Sequence, residues 1–426
     1  MKISNETTSP TTITCPACGL LCDDIILNSE SEIPAKNNCP KSIHFYEQAY
    51  ISNTSVAPTV AGKSTDLNAA IKAAADILHT SNQPLFAGLG TEVQGMRAVL
   101  GLAEKNNATL DHMHNDGAMR NILTLQNSGW QNTTLTEVKN RADVILAIGT
   151  DIVSSHPRFF EKLVWNKNSL FDKPTPEIIY LGAPANATAE NLAAGISPEG
   201  KQPTIIAAET ADIPEIINVL NALINNKKIS ITEVGGVAVT TLQAIIEKLK
   251  SAQYAVITWA AGNFKFSNAE LTIQGITQIV VKLNETSRAA GLPLNAGDGD
   301  MSVNNTSTWI SGYPTRNRFT NGKVEYNAQN FSTSKQLANC DAVLWISTFN
   351  PHLPPNTDLP LIVIGHPNMK FDRVPDVFIP VGIPGVDHIG TIFRMDNVVA
   401  LPLKKARQSS LPTLSQVIQQ LTDNMS

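Results

Sequence analysis

The sequence predicts an α/β protein in which a small cysteine-rich head precedes two doubly wound α/β regions, and three observations carry that prediction. Beyond residue 60, short apolar runs alternate with segments whose apolar residues recur at helical spacing. The runs are apolar throughout, as strands of a parallel sheet covered on both faces require. Four of the five cysteines fall before residue 40.

In chain order, "STDLNAAIKAAADILHT" places Leu67, Ile71, Ala74 and Leu78 on one helical face, and "PLFAGLG" follows as a short buried strand ending in glycines. A helix is expected near "TEVQGMRAVLGLAEKN", a strand at "ADVILAIGTD", a helix after "SHPRFFEKL" and a strand at "EIIYLGAP". After the polar stretch "SPEGKQPTIIAAETADIPEII", a second series has a helix at "TLQAIIEKLK" and strands at "YAVITWAAG", "DAVLWIST", "LPLIVIGH" and "DVFIPVG". The expected division is a head over residues 1–55, α/β regions over 56–235 and 236–400, and a tail over 401–426.

Composition excludes several classes. With 42% hydrophobic and 16% charged residues and a net charge of −5, the chain carries no basic stripe for nucleic acid. The first residues have no apolar leader segment and no apolar run approaches membrane length, so a cytoplasmic protein with no membrane partner is expected. The low charged fraction suits a surface partly covered by other chains. No H-E-x-x-H spacing or G-x-S-x-G elbow is present, and "GLGTEVQG" and "AGDGDMS" lack a phosphate-loop pattern.

Cys15, Cys18, Cys22 and Cys39 are spaced C-x2-C-x3-C-x16-C, with Pro40 after the last. Close-set thiolates closed by a distant fourth suit a [4Fe-4S] cluster. A structural zinc site uses the same ligand set, though its cysteines commonly come as two pairs. Four unliganded thiols are the bland alternative, and free cysteines normally scatter. Lys41 could tune such a centre or be solvated, and the solitary Cys340 reads as core. Strand-end loops are where α/β sheets place ligands, and here they read "GTD" (149–151), "GAP" (182–184), "AAGN" (260–263) and "STFNP" (347–351). Small polar residues also serve simply to turn the chain there.

Finer motifs give a resemblance. "CPACGLLCDDI", "TLTEVKNRADVILAIGTDIVSSHPRFFEKL", "WISGYPTRNRF" and "GTIFRMDNVV" resemble the B subunit of formylmethanofuran dehydrogenase, in the molybdopterin oxidoreductase superfamily, from residue 15 to about residue 400. The resemblance implies a molybdopterin-oxidoreductase-like fold, a [4Fe-4S] cluster, and tungsten or molybdenum held by pterin dithiolenes and one cysteine in a Cys-His-Gly setting. This chain departs there: it reads "DHMHNDGAMRN", and no cysteine occurs between Cys39 and Cys340. With a small insertion in the local alignment, Asn115, Asp116 and Gly117 match the Cys-His-Gly positions, and oxygen donors do not replace a soft thiolate. His112 and His114 read as ordinary residues rather than substitute ligands. Asp298 and Asp300, in "LNAGDGDMS", are either remnant polar contacts or plain loop carboxylates.

The same departure resembles the B subunit of the bacterial formyltransferase/hydrolase complex. That likeness implies a non-redox scaffold, without tungsten or molybdenum and without catalytic residues of its own, bound to formyltransferase and hydrolase subunits in one-carbon oxidation. An active tungsten or molybdenum dehydrogenase subunit is the alternative.

Overall fold

A computed structural model describes residues 12–27, 34–51, 56–182 and 195–425. Residues 1–11, on which the leader expectation rested, and Ala183 and Pro184 of the "GAP" loop lie outside the described residues.

Two large sheets organise the chain. One is wholly parallel, in the order Thr204–Ile206, Glu177–Leu181, Val144–Ile148, Ala255–Trp259, Ala289–Pro293. The other has nine strands. Its parallel centre runs Thr109–His112, Leu85–Gly90, Val343–Ser347, Leu361–Gly365, Val377–Pro380, and antiparallel pairs flank it: Asn317–Thr320 with Lys323–Tyr326, and Thr59–Val60 with Lys63–Ser64. The α/β class is as expected.

Neither sheet is confined to one of the ranges 56–235 and 236–400. The nine-stranded sheet inserts Val343–Ser347 beside Leu85–Gly90, and the five-stranded sheet pairs Val144–Ile148 with Ala255–Trp259. The reason is physical: each fully apolar strand needs two neighbours and two covered faces, and sequence separation places no bar on finding them. Residues 401–426 are not a loose tail either. The helix Leu414–Asn424 begins in a capping box between Thr413 and Gln416, and it buries Leu414, Val417, Ile418 and Leu421 in the core beside the helices Leu67–Thr80 and Val93–Lys105.

Alternation of faces explains why these strands lack a polar side. In the five-stranded sheet, Val144, Leu146 and Ile148 face the helices Ile213–Ile224, Val239–Ser251 and Ala269–Leu283, while Ile145 and Ala147 face the core that contains Cys15, Cys18 and Cys22. In the nine-stranded sheet, Phe86, Leu344 and Ile362 enter one core and Leu85, Ala87, Val343 and Trp345 the other. Cys340 belongs to that second core, as expected.

Near its carboxyl end the strand Leu85–Gly90 is irregular. Gly88 has φ 77°, and a Cβ there would lie 2.5 Å from the Ile346 carbonyl oxygen, so only glycine fits. The register shift that follows turns Gly90 toward Met113 and Thr348.

Candidate functional site

The loops beyond three parallel strands converge where the two sheets meet. His112 ends the strand Thr109–His112, Asp298 lies in the loop after Ala289–Pro293, and His352 follows Val343–Ser347. Asp298 is the hub. Its Oδ2 accepts hydrogen bonds from Nε2 of His114 at 2.9 Å and of His352 at 3.1 Å, and its Oδ1 accepts one from Asn350 Nδ2 at 2.6 Å. The His112 ring holds the backbone beneath: Nδ1 accepts from the His114 amide at 3.1 Å, which leaves the ring proton on Nε2, 3.2 Å from the Asp298 carbonyl oxygen. Burial brings the His112 pKa down to about 3, so the ring stays neutral. Burial by itself would raise the Asp298 pKa, but the bonds from His114, His352 and Asn350 outweigh it and hold the carboxyl well below the usual range.

Asn115, which the resemblance matches to a metal-ligating cysteine, is fully buried and its amide is engaged at both ends. Nδ2 donates to Asp111 Oδ1 at 2.8 Å and to Thr315 Oγ1 at 2.6 Å, and Oδ1 accepts from Asn304 Nδ2 at 3.1 Å. Arg316 closes the network, bonding Asp111 through Nε at 3.1 Å and pairing with Asp116. Asp116 itself is 82% exposed. Gly117 allows the helix Asn115–Ser128 to approach the 260–263 loop, since a Cβ on it would lie 2.9 Å from the Gly262 Cα. This donor set does not fit a thiolate-held tungsten or molybdenum ion: no thiol stands here, and the Asn115 amide spends both its hydrogens and one lone pair of its oxygen on hydrogen bonds within the protein.

Asp300 is buried and does structural work, accepting bonds from Asn295 Nδ2, the Ala296 amide and the Met301 amide at the start of the helix Asp300–Ser311. The strand-end loops also meet, with Asn263 donating to the Gly149 carbonyl at 3.0 Å. A cavity of about 270 Å³ beside the hub is lined by His112, Met113, Arg316, Thr333, Trp345 and Leu353 among others. Sequence reasoning stopped one residue short of His352; its signal was a histidine between prolines in "NPHLPP", just after a buried strand.

In the head, Cys15, Cys18 and Cys22 are buried and Cys39 is partly buried. The Cys15 amide bonds the Cys22 carbonyl at 2.9 Å, and the Ser42 amide points at Cys39 Sγ from 3.5 Å. Burial raises the Cys15 and Cys18 pKa values and pushes Cys22 up to about 12. The charges of Lys41 on Cys18, and of Lys162 and Arg158 on Cys22, work the other way. Buried thiols ringed by cations suit an anionic, metal-bound thiolate set, in which the metal replaces the protons and the cations offset the charge. Thiolates on one zinc ion sit roughly 3.8 Å apart, from Zn–S bonds of about 2.3 Å in a tetrahedron. Among the described residues, the group whose ligand atoms all lie within 4.8 Å of one another is instead His114, Asp298 and His352.

The motifs quoted from the sequence touch one another. Asp24 pairs with Arg158 at 2.7 Å and with Lys162 at 3.0 Å; Gly19 accepts from the Met395 amide; Asp396 caps the Leu135 amide at 2.8 Å.

These features define a two-sheet α/β protein with a cysteine loop docked on one sheet and a polar hub between the sheets. Along most of its length the chain is similar to the B subunits of formylmethanofuran dehydrogenase and of the formyltransferase/hydrolase complex. It is 24% identical over 409 residues, 91% of each chain, to the B subunit of the tungsten-containing formylmethanofuran dehydrogenase 2 of Methanococcus maripaludis, and 24% identical over 404 residues to that of Methanocaldococcus jannaschii. It is 27% identical over 353 residues, 80% of this chain and 88% of the relative, to the B subunit of the formyltransferase/hydrolase complex Fhc of Methylorubrum extorquens. It shares its fold, with a TM-score of 0.73 at 24% identity, with a chain in the crystal structure of the Methylorubrum extorquens formyltransferase/hydrolase complex (FhcABCD) in complex with methylofuran, covering 87% of this chain and 98% of that one. No protein-family model matches the chain. Among the described residues, no helix is long and apolar enough to cross a membrane.

Proposed function

We propose that this chain is a non-redox scaffold subunit of a formyltransferase/hydrolase complex in one-carbon oxidation, with a molybdopterin-oxidoreductase-like arrangement of its domains. Its partners on this reading are the formyltransferase and hydrolase subunits, and it carries no transfer or hydrolysis chemistry itself. The observation that carries the reading is Asn115: where the dehydrogenase places its thiolate, this chain places a buried amide with both hydrogens and its oxygen bonded. Sequence similarity to the Fhc B subunit of Methylorubrum extorquens supports the same assignment.

The names of the two tungsten-containing relatives favour a second reading, an active tungsten or molybdenum protein. It would need a ligand other than Asn115, which offers only a hard oxygen already bonded to Asn304. The head, on the proposed reading, keeps Cys15, Cys18, Cys22 and Cys39 as the ligands of one [4Fe-4S] cluster, with structural zinc as the rival. Either metal would serve folding, since site formation and head folding are one event.

The test is to tag the chain in its native cells, purify the intact complex without oxygen, and measure W, Mo, Fe and Zn. Transferase and hydrolase subunits should co-purify, W and Mo should be absent, and the complex should not oxidise formylmethanofuran with a viologen acceptor. One equivalent of W or Mo, or a stable solitary monomer, overturns the reading.

A further inference from the structure

We infer that His114, Asp298 and His352 form a binding site for a divalent first-row transition ion, of the zinc, cobalt or ferrous class, open to water or a carboxylate ligand. Two imidazoles and one carboxylate are an established donor set for such ions, in zinc sites and in two-histidine, one-carboxylate iron sites alike.

The donor atoms are already gathered, and a small opening of the Asp298 carboxylate from the two rings would admit an ion. Ligands about 2.1 Å from an ion and at right angles to one another lie roughly 3 Å apart. The two Nε2 atoms stand 2.9 and 3.1 Å from the same Asp298 Oδ2, and all the ligand atoms fall within 4.8 Å of one another. The imidazole rings cross edge to face, with centroids 6.0 Å apart and planes at 88°, so their Nε2 atoms converge without ring contact. The three residues come from segments separated by 184 and 54 positions, so the convergence is a product of the tertiary fold.

A ligand set also needs outer partners that fix its orientation. Here the Asp298 side chain is 8% exposed, Asn350 holds its Oδ1, and His112 binds its backbone carbonyl. His112 also receives the His114 amide, which ties two ligand-bearing segments to one neutral ring. Asp298 adopts φ 51°, a left-handed conformation in which this hydrogen-bond set holds it. The other side of the group is open: His114 and His352 are 29% and 43% exposed, and His112, Met113 and Leu353 lead into the neighbouring cavity. On binding, each imidazole gives its Nε2 lone pair to the ion and carries its one proton on Nδ1, any second ring proton passing to water, and the ion's remaining positions face solvent and the cavity. This site is separate from the four cysteines and does not depend on the scaffold reading.

The probe is Co²⁺, titrated into the chelator-treated full-length protein and read by absorbance. Cysteine-bound Co²⁺ gives strong sulfur-to-metal absorption in the near ultraviolet, whereas a nitrogen and oxygen site gives only weak visible bands, so the two sites are read apart. One equivalent of the second kind is expected, displaced by Zn²⁺, with a raised melting temperature. His352→Ala, at a half-exposed position, and Asp298→Asn should each weaken that binding on the order of 100-fold. His79→Ala, on an exposed helix end, should leave it unchanged. Absence of the weak bands in folded wild-type protein, or equal Co²⁺ affinity in the His352→Ala and Asp298→Asn variants, shows a hydrogen-bonded triad only and overturns the proposal.

Discussion

The cysteine head and the Asn115 node are the two places where the family resemblance leads one to look for a metal centre, and they differ in the donors they offer. In the head the soft donors are all present, buried, and surrounded by Lys41, Arg158 and Lys162. At the start of the helix Asn115–Ser128 the soft donor is gone, and its replacement is bonded to Asp111, Thr315 and Asn304. The difference teaches that a lost ligand is seen less in the substitution itself than in its surroundings. Unbonded buried amide atoms would still be available to a ligand; this amide has become part of the core.

The strongest way to break that comparison is in the head. Cys18→Ser should remove the centre entirely and loosen the first 50 or so residues, read by Fe and Zn content and by limited proteolysis, because metal ligation supplies folding free energy there. Cys340→Ala, in the core of the nine-stranded sheet, should leave metal content unchanged. If all four head thiols alkylate freely in the native protein, the contrast between the two regions collapses.

At the node, Asn115→Leu should cost about 3 kcal/mol in urea unfolding, since Asp111, Asn304 and Thr315 would each lose a buried partner. Asn115→Cys should also destabilise, and the purified complex should still lack tungsten. Recovery of one equivalent of tungsten in that variant would mean that only the thiol was missing, which the closed network argues against.

Much of this could be read in advance, and the reasons for the rest are specific. Strands such as Val144–Ile148 were legible because both faces are buried and every residue is apolar. Their pairing was not: nothing in "DAVLWIST" says that it lies beside "PLFAGLG", over 250 positions earlier, because parallel partners are chosen by global packing. The clustering of Cys15, Cys18, Cys22 and Cys39 was visible from local spacing, and the fold buries the first three and partly buries the fourth. The Asp298 hub was not visible, because its histidines lie far away in sequence and each looks ordinary alone. Asp300, paired with Asp298 in the reading of the loop, is a helix-start residue whose oxygens bond Asn295, Ala296 and Met301 rather than the hub histidines.

Acid should act mainly through buried neutral histidines. Burial brings His156 down to about 3 and His366 to about 4, against roughly 6.5 in an unfolded chain. Their folded pKa values are depressed, so the unfolded chain takes up protons first. This contribution is fully present above pH 6.5 and is lost as pH falls toward 4 and then 3, at about 1.4 kcal/mol per pH unit for each histidine. Urea midpoints measured between pH 7 and 4.5 should fall accordingly, and His156→Gln should flatten the slope by one proton's worth. An unchanged slope would mean that His156 is not neutral in the fold.

The smallest effect on stability should come from Asp24, which joins the cysteine loop to Arg158 and Lys162. Burial raises its pKa, but hydrogen bonds from Arg158 and Lys162 more than compensate and bring it down to about 2. Its contribution is therefore present above about pH 4 and lost as pH falls toward 2. The side chain is 36% exposed, so solvent screening limits Asp24→Asn to under about 1 kcal/mol near neutral pH. Its effect on the head should be easier to see than its effect on unfolding. Removing the carboxylate leaves Arg158 and Lys162, which already oppose the upward shift of Cys22, with one fewer anion to neutralise them. Thiolate-bound metal should then feel a more positive field, and a cluster in the head should become easier to reduce, its potential moving upward in a redox titration of the purified complex. An unchanged potential would place these charges too far from the sulfurs to matter, and would remove the electrostatic half of the contrast with Asn115.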